Sequence, residues 1–321
     1  MTTPESRRSD RHARGGASAK NRHASAKNRH ASGGSAKNRH APDGASAKKK
    51  PSRAGRDLPV AFGVGVTLGL VVLASLLVRK EVFLGVVIVA ACFAVWELRD
   101  GLARGRINVP LVPGMVGAIA MITGAFAGGG QVLAVCFGLT CISMLLWCLS
   151  DGPQGSMPNI SGGIFVAAYV PLLASFSSLM LAAPDGAQRV IVFIGVTICS
   201  DIGGFAVGVF AGRHPMAPSI SPKKSWEGAA GSVVTCIIAG VATVMLLLGG
   251  PWWAGAILGL SMAVTATLGD LTESTIKRDL GIKDMGNILP GHGGLMDRLD
   301  SLLLSAPVAW GILTLLVPVV T

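Results

Sequence analysis

Hydrophobic positions in this chain gather into long stretches that begin at Pro59 and continue almost to the C-terminus. Nine such segments alternate with short polar connections and cover roughly residues 59–78, 82–97, 109–127, 131–149, 162–183, 188–211, 228–249, 251–271 and 301–320. Most approach the ~20 residues that a helix needs to cross a ~30 Å hydrocarbon layer. The pattern predicts an all-α, polytopic integral membrane protein with about nine transmembrane helices.

Composition supports the membrane class. Half of the 321 residues are hydrophobic, only 14% are charged, and the mean hydropathy is +0.57. A soluble protein of this length would need far more polar surface to cover its core. The six cysteines lie inside apolar segments and form no Cys-x-x-Cys pair, so the sequence supports neither a zinc site nor a disulfide framework.

The N-terminal residues 1–57 form a separate basic tail. They hold 15 Lys/Arg and 4 Asp/Glu, which accounts for the whole net charge of +11, whereas the remainder holds 13 of each sign. The unit Ala-Ser-Ala-Lys-Asn-Arg-His occurs at 17–23 and again at 24–30, and no large apolar residue other than Met1 precedes Leu58. We therefore expect a disordered tail before a transmembrane domain at 58–321. The tail can contact anionic lipid, but it lacks the interleaved aromatic residues typical of nucleic-acid binding, so no nucleic-acid partner is predicted.

The distribution of Lys and Arg between the apolar segments predicts the orientation. With the tail inside, the cytoplasmic connections carry Arg99, Arg104, Arg106, Arg213, Lys223, Lys224, Lys277, Arg278, Lys283 and Arg298, and the outer side carries Arg79, Lys80 and Arg189. This bias predicts a cytoplasmic N-terminus, because basic residues concentrate in cytoplasmic loops. The polar connections 212–227 and 272–300 then face the cytoplasm.

Residues 274–300 concentrate unusual chemistry for a membrane protein, with four Asp, four Lys/Arg, one His and several Gly. Asp297 and Asp300 share a helix face at a spacing of three, and Asp270 and Glu273 repeat that spacing at the end of the eighth segment. Two such faces joined by a Gly-rich loop predict a divalent-cation site. Mg²⁺ is the expected ion, since it prefers oxygen ligands and substrate phosphates. The basic residues interleaved with these acids suit a triphosphate and a pyrophosphate leaving group.

Asp201 lies inside the sixth apolar segment, about 16 Å from its cytoplasmic end at 1.5 Å per residue. A carboxylate at that depth must face the helix bundle or a wet cavity. It is either a lining residue of such a cavity or a structural polar clamp.

Residues 274–300 resemble the signature of the phosphatidate cytidylyltransferase (CDP-diacylglycerol synthase) family. The matching residues are Ser274, Lys277, Arg278, Lys283, Asp284, Gly286, Leu289, Pro290, His292, Gly293, Gly294, Asp297, Arg298 and Asp300. Residues 221–228, Ser-Pro-Lys-Lys-Ser-Trp-Glu-Gly, resemble that family's second motif. Ile202 and Phe205 stand where the family commonly has Thr and Tyr.

The resemblance implies transfer of the cytidylyl group of CTP to phosphatidic acid, giving CDP-diacylglycerol and pyrophosphate with Mg²⁺. It also implies a homodimer of nine-helix protomers and metal binding by Asp270 and Asp297, with Asp300 adjacent. We expect a multi-pass protein of the bacterial inner membrane, and a second, monovalent cation is left open.

The hypothesis assigns roles to particular residues. The predicted metal ligands are Asp270, Asp297 and Asp300, which with Lys277 and Arg278 form the predicted catalytic set. The predicted substrate-binding residues are Asp201, Ser221, Lys224, Lys283, His292 and Arg298. For His292, a purely structural role in the turn is the alternative to donating to a phosphate.

Two other functions stay open at this point. A CTP-dependent polyprenol or phytol kinase would transfer the γ-phosphoryl group and release CDP instead of pyrophosphate. A cation-coupled secondary transporter would use Asp201, Asp270 and Glu273 as an ion path. The transporter reading predicts inverted repeats, and it leaves the 272–300 connection unexplained.

Overall fold

The apolar segments fold into helices joined by short connections. The protein is represented by a computed structural model that describes residues 58–150, 152, 156–286, 288 and 293–319. The helices are α1 (Leu58–Val78), α2 (Lys80–Arg104), α3 (Leu111–Ser150), α4 (Ser156–Ala167), α5 (Leu173–Ala182), α6 (Gly186–Ala211), α7 (Trp226–Leu248), α8 (Trp252–Asp279) and α9 (Met296–Leu316). A π-helical turn at Ala168–Leu172 joins α4 to α5 into one continuous rod. The basic tail lies outside the described residues, so its boundary stays a prediction.

Seven helical stretches within the described residues are long and apolar enough to cross a membrane. They are Lys80–Arg104, Leu111–Ser150, Ser156–Ala182, Gly186–Ala211, Trp226–Leu248, Trp252–Asp279 and Met296–Leu316. The multi-pass helical class is therefore confirmed. Within α3 the backbone leaves the helical conformation at Gly129, whose φ of 67° suits glycine, and the predicted segments 109–127 and 131–149 flank this break.

One connection differs from the all-α prediction. Between α6 and α7 the chain forms a short antiparallel hairpin of β1 (Pro215–Ala217) and β2 (Ser221–Ser225), in which Pro215 pairs with Ser225 and Ala217 with Ser221. The sequence predicted only a polar connection here. Both strands are partly exposed.

Small residues bring α6 and α7 close together. A Cβ added to Gly228 would lie 2.9 Å from the carbonyl oxygen of Gly204, and one added to Gly204 would lie 2.5 Å from the Ser232 hydroxyl. Gly204 of α6 thus lies in the contact with α7, and small residues of this kind let membrane helices approach closely. This contact places β2, which leads directly into α7, beside α6 and α8.

Helix α9 lies in the apolar core and is held at its C-terminal end by α6. Its side chains Ala309 and Leu313 are fully buried. The guanidinium of Arg189, itself buried in an ion pair with Asp185, donates to the carbonyl oxygens of Leu313 (2.7 Å) and Val317 (3.0 Å). Leu313 lies in the last turn of α9, where its carbonyl also accepts from the Val317 N–H, and Val317 directly follows the helix. The bonds fix the end of α9 opposite to Asp297 and Asp300.

Candidate active site

A cavity of about 420 Å³ opens where α6, β2, α7, α8 and α9 meet. Its charged lining residues come from distant parts of the sequence and are Asp201, Lys223, Lys224, Asp270, Asp297, Arg298 and Asp300. Six of these seven are predicted site residues, so the structure brings most of the predicted set to one place. Four acids and three bases line the same cavity, which suits a ligand that carries both phosphate and a bound cation.

A backbone contact between α8 and α9 sets the position of Asp270 beside Asp300. A Cβ added to Gly269 would lie only 2.5 Å from the carbonyl oxygen of Asp300, so glycine is required for this approach. The hydroxyl of Ser301 donates to Asp270 Oδ1 at 2.8 Å and lies 3.4 Å from Asp300 Oδ1. Asp300 Oδ1 also accepts from the Ser301 backbone N–H at 2.7 Å. Two carboxylates from different helices are thus tied together through one serine.

The hairpin carries a basic residue to the acidic pair. Lys224, in β2, donates a hydrogen bond from Nζ to Asp270 Oδ2, and both side chains remain partly exposed to the cavity. The base of the hairpin is closed by Glu227, whose Oε2 accepts from the backbone N–H groups of Arg213 (3.1 Å) and His214 (3.2 Å). Ser225 caps α7 by accepting from the Gly228 N–H at 3.1 Å. These contacts hold Lys224 over the acidic pair.

Asp297 has a different environment from Asp270, although it lines the same cavity. Asp297 Oδ1 accepts from Lys277 Nζ at 2.8 Å, and Oδ2 accepts from the Gly294 N–H at 2.7 Å. The Met285 N–H lies 3.3 Å from Asp297 Oδ2. Lys277 Nζ also bonds Glu273 Oε2 at 2.9 Å. Asp297 therefore ties the connection between α8 and α9, which we call the signature loop, to the end of α8 through its contacts with Met285, Gly294 and Lys277.

Several predicted residues lie away from this cavity. Arg278 Nε donates to the Ile220 carbonyl at 3.3 Å, so its guanidinium lies against the hairpin. Lys283 is exposed, and Ser221 pairs with Ala217 at the start of β2. Among the described residues, the cavity lining includes none of these three, nor Lys277. Their substrate roles stay predictions, and His292 lies outside the described residues.

The donor set fits Mg²⁺ if substrate phosphates complete the coordination. In the described part of the chain, no group of three or more His, Cys, Asp or Glu side chains could hold a metal ion alone. Magnesium is usually bound by one or two carboxylates together with phosphates and waters, so such a cage is not required. Asp270 and Asp300 would supply the two carboxylates for such an ion. Lys224 is a cation already bound to Asp270, which shows that this carboxylate attracts positive charge.

Sequence reasoning left three contributors to the site unassigned, of which Lys223 lines the cavity beside Lys224. Ser301 joins Asp270 to Asp300, and its only signal was its position next to Asp300. Glu273 was noted as an acid of the eighth segment but was not assigned to the site. Its spacing of four from Lys277 on one helix was the signal for their pairing.

Comparison with known proteins identifies the family of this chain. The sequence profile of the cytidylyltransferase family matches residues 60–316. A phosphatidate cytidylyltransferase of Mycobacterium bovis is 42% identical over 295 residues, which cover 84% of this chain and 94% of that protein. The phosphatidate cytidylyltransferase of Mycobacterium leprae is also 42% identical over 295 residues, with 84% and 92% covered. One from Synechocystis sp. is 41% identical over 138 residues, covering 42% of this chain and 46% of that protein. The chain belongs to the cytidylyltransferase family.

Proposed function

We propose that this protein transfers the cytidylyl group of CTP to phosphatidic acid, giving CDP-diacylglycerol and pyrophosphate for phospholipid biosynthesis. The observation that carries the proposal is the single cavity in which Lys224, Arg298, Asp270 and Asp300 meet. The relatives named phosphatidate cytidylyltransferase support the same substrates. Membership of an enzyme family explains why the chain carries the polar connection 272–300, which the transporter alternative left unexplained.

The reaction requires the protein to position the two substrates and to neutralise the charge on their phosphates. The phosphate of phosphatidic acid is an anion at neutral pH and needs no strong base to attack the α-phosphorus of CTP. What lowers the barrier is in-line placement of the two phosphates and stabilisation of the charge that develops on the leaving pyrophosphate. Lys224 and Arg298 line the cavity and bind phosphate oxygens in this proposal. Asp201 lines the same cavity from α6, where lipid headgroup and nucleotide meet.

The proposed cofactor is Mg²⁺, for which the sequence predicted Asp270, Asp297 and Asp300 as ligands. The resemblance implied Asp270 and Asp297, but we propose Asp270 and Asp300 with Asp297 adjacent, because Ser301 joins the first two whereas Lys277 already bonds Asp297. When bound, the ion supplies positive charge to the phosphate oxygens of the nucleotide. Lys224, which donates to Asp270 in this structure, would remain paired by bonding phosphate oxygens of the substrate. Ser301 holds the two aspartates at a fixed separation throughout.

The proposal includes nine membrane spans, a cytoplasmic N-terminus and a homodimer in the bacterial inner membrane. The ends of the helices support the orientation. Lys80 and Arg189, assigned to the outer side, bond carbonyls at 183–184 and at the C-terminal end of α9, respectively. Lys224 and Arg298, assigned to the cytoplasm, line the cavity at the other end of α9. A cytoplasmic cavity has direct access to CTP.

The product of the reaction tests the proposal. Membranes containing the protein are incubated with phosphatidic acid, Mg²⁺ and CTP labelled at the α-phosphorus. We expect the label to move into lipid while pyrophosphate is released. A kinase would leave the label in CDP, because only the γ-phosphoryl group would move, and that result would overturn the proposal. Membranes carrying Asp270→Asn serve as the matched control.

Deleting residues 2–55 is expected to leave turnover close to that of the full chain. All the described residues that line the cavity lie at or beyond Ser200, so the tail supplies none of the groups used above. The measurement is initial rate per mole of purified protein in the labelled-CTP assay. Complete loss of turnover in a folded truncated protein would show that the tail takes part in the reaction.

A further inference from the structure

Glu97 is a buried carboxylate that the proposed reaction does not use. It lies on α2 with 1% of its surface exposed, beneath the signature loop. Glu97 Oε2 accepts a hydrogen bond from the backbone N–H of Met296 at 2.7 Å, although the two residues are 199 positions apart. Met296 is the first residue of α9, and Leu295 at the N-cap position provides no side-chain cap. An acid from another helix therefore caps the N-terminus of α9.

This cap acts on the helix end that carries the site. The first N–H groups of a helix lack partners within the helix, and a negative charge there also interacts favourably with the helix dipole. Asp297 and Asp300 follow Met296 by one and four residues. A displacement of this first turn along the helix axis would therefore move both carboxylates relative to Asp270.

Two glycines of the signature make room for the Glu97 carboxylate. A Cβ added to Gly286 would lie 2.2 Å from Glu97 Oε1, and one added to Gly294 would lie 2.7 Å from Glu97 Oε2. Both distances are shorter than a real Cβ contact, so a side chain at position 286 or 294 would displace the Glu97 carboxylate. Met285 and Met296, next to these positions, are fully buried. Gly286 and Gly294 thus leave room for the carboxylate of an acid that lies 189 and 197 positions earlier in the chain, respectively.

We infer that Glu97 is a positioning residue for cytidylyl transfer. It fixes the first turn of α9 together with the described loop residues 284–286 and 293–295, and through them the placement of Asp297 and Asp300 in the cavity. Burying a carboxylate is costly without a partner, and Glu97 Oε1 has no hydrogen-bond partner in the part of the chain that the structure describes. The inference rests on the proposed function for its catalytic part only, because the cap itself is a structural contact.

The first experiment compares Glu97→Ala with Glu97→Gln and with Glu81→Ala. Glutamine keeps an oxygen acceptor for the Met296 N–H, and Glu81 is an exposed acid on the first turn of the same helix. We expect Glu97→Ala to lower kcat about 10²-fold, with a much smaller change in KM for CTP, because misplacement of catalytic groups by about 1 Å has this effect. Glu97→Gln should restore most of kcat, and Glu81→Ala should match the wild type.

Hydrogen exchange provides a readout that does not depend on activity. Backbone amides in peptides covering 293–300 should exchange faster in Glu97→Ala than in the wild type or in Glu81→Ala. Unchanged exchange in Glu97→Ala would overturn the inference, whether or not kcat falls. If the wild type shows no CTP-dependent turnover, the proposed function fails, and the exchange result still decides whether Glu97 caps α9.

A double-mutant cycle tests the role of the glycines. Gly286→Ala should lower kcat in the wild-type background because its Cβ displaces the Glu97 carboxylate, and it should add little in the Glu97→Ala background. Gly85→Ala, on an open face of α2, is the control substitution. If Glu97→Ala does not fold, Glu97→Asp provides the shortened side chain for the same cycle. Additive effects of the two changes would contradict the inference.

Discussion

Asp270→Asn is expected to lower CTP-dependent turnover about 10²–10³-fold while leaving the protein folded, the loss seen when one preorganised charge-stabilising group is removed. Asparagine has nearly the same volume and keeps the oxygen that accepts from Ser301. It removes the negative charge that holds Lys224 and, in our proposal, Mg²⁺. The substitution therefore separates the charge of Asp270 from its role in helix contact.

The measurement is kcat in the labelled-CTP assay across a range of Mg²⁺ concentrations, with thermal stability in detergent as the check on folding. We expect Asp270→Asn to need more Mg²⁺ for its residual activity, because one of two proposed carboxylate ligands is lost. Asp100→Asn is the matched control, since the ion pair of Asp100 with Arg104 is exposed and lies outside the cavity lining. Wild-type turnover in Asp270→Asn would refute the assignment of this cavity as the active site.

Asp297 and Asp300 show how far spacing in the sequence could predict the site. The interval of three residues between Asp297 and Asp300 predicted a shared helix face, and both do line the cavity. The pattern could not show that Gly269 lets α8 touch the backbone of α9 at Asp300. That contact, and not the charge pattern, decides that Asp300 is tied to Asp270 through Ser301.

The basic residues were harder to assign because positive charge alone does not identify a partner. Lys277 and Arg278 are neighbours in the sequence and were given the same role. On a helix they point about 100° apart, since one turn takes 3.6 residues. Lys277 consequently meets Glu273 and Asp297, whereas Arg278 meets the hairpin at Ile220.

Contacts between distant segments lay beyond the sequence pattern. Glu97 is an acid at the end of the second apolar segment, and nothing near it in the chain suggests a partner. Its cap on Met296 depends on how α2 lies beside α9, which a single sequence does not reveal. In the sequence, the glycines at 286 and 294 were part of a Gly-rich loop, and their close contact with Glu97 gives them a steric reason.

Lys277→Met is expected to destabilise the folded protein by about 3–5 kcal/mol, the cost of removing one partner from a buried ion pair. Lys277 Nζ bonds both Glu273 and Asp297, and the three side chains are only 14%, 1% and 7% exposed. Methionine keeps most of the apolar stem of lysine but leaves two carboxylates facing each other without a cation. We therefore expect a lower thermal midpoint as well as lost turnover.

A second substitution distinguishes this structural role from phosphate binding. Glu273→Gln removes one of the two unpaired charges, so the double variant Lys277→Met/Glu273→Gln should be more stable than Lys277→Met alone. Arg278→Met is the matched control, because that guanidinium is exposed and bonds only the Ile220 carbonyl among the contacts described here. The measurement is the thermal midpoint of each purified variant in the same detergent. A Lys277→Met protein with wild-type stability and no turnover would instead favour direct binding of substrate phosphate by Lys277, as the sequence first suggested.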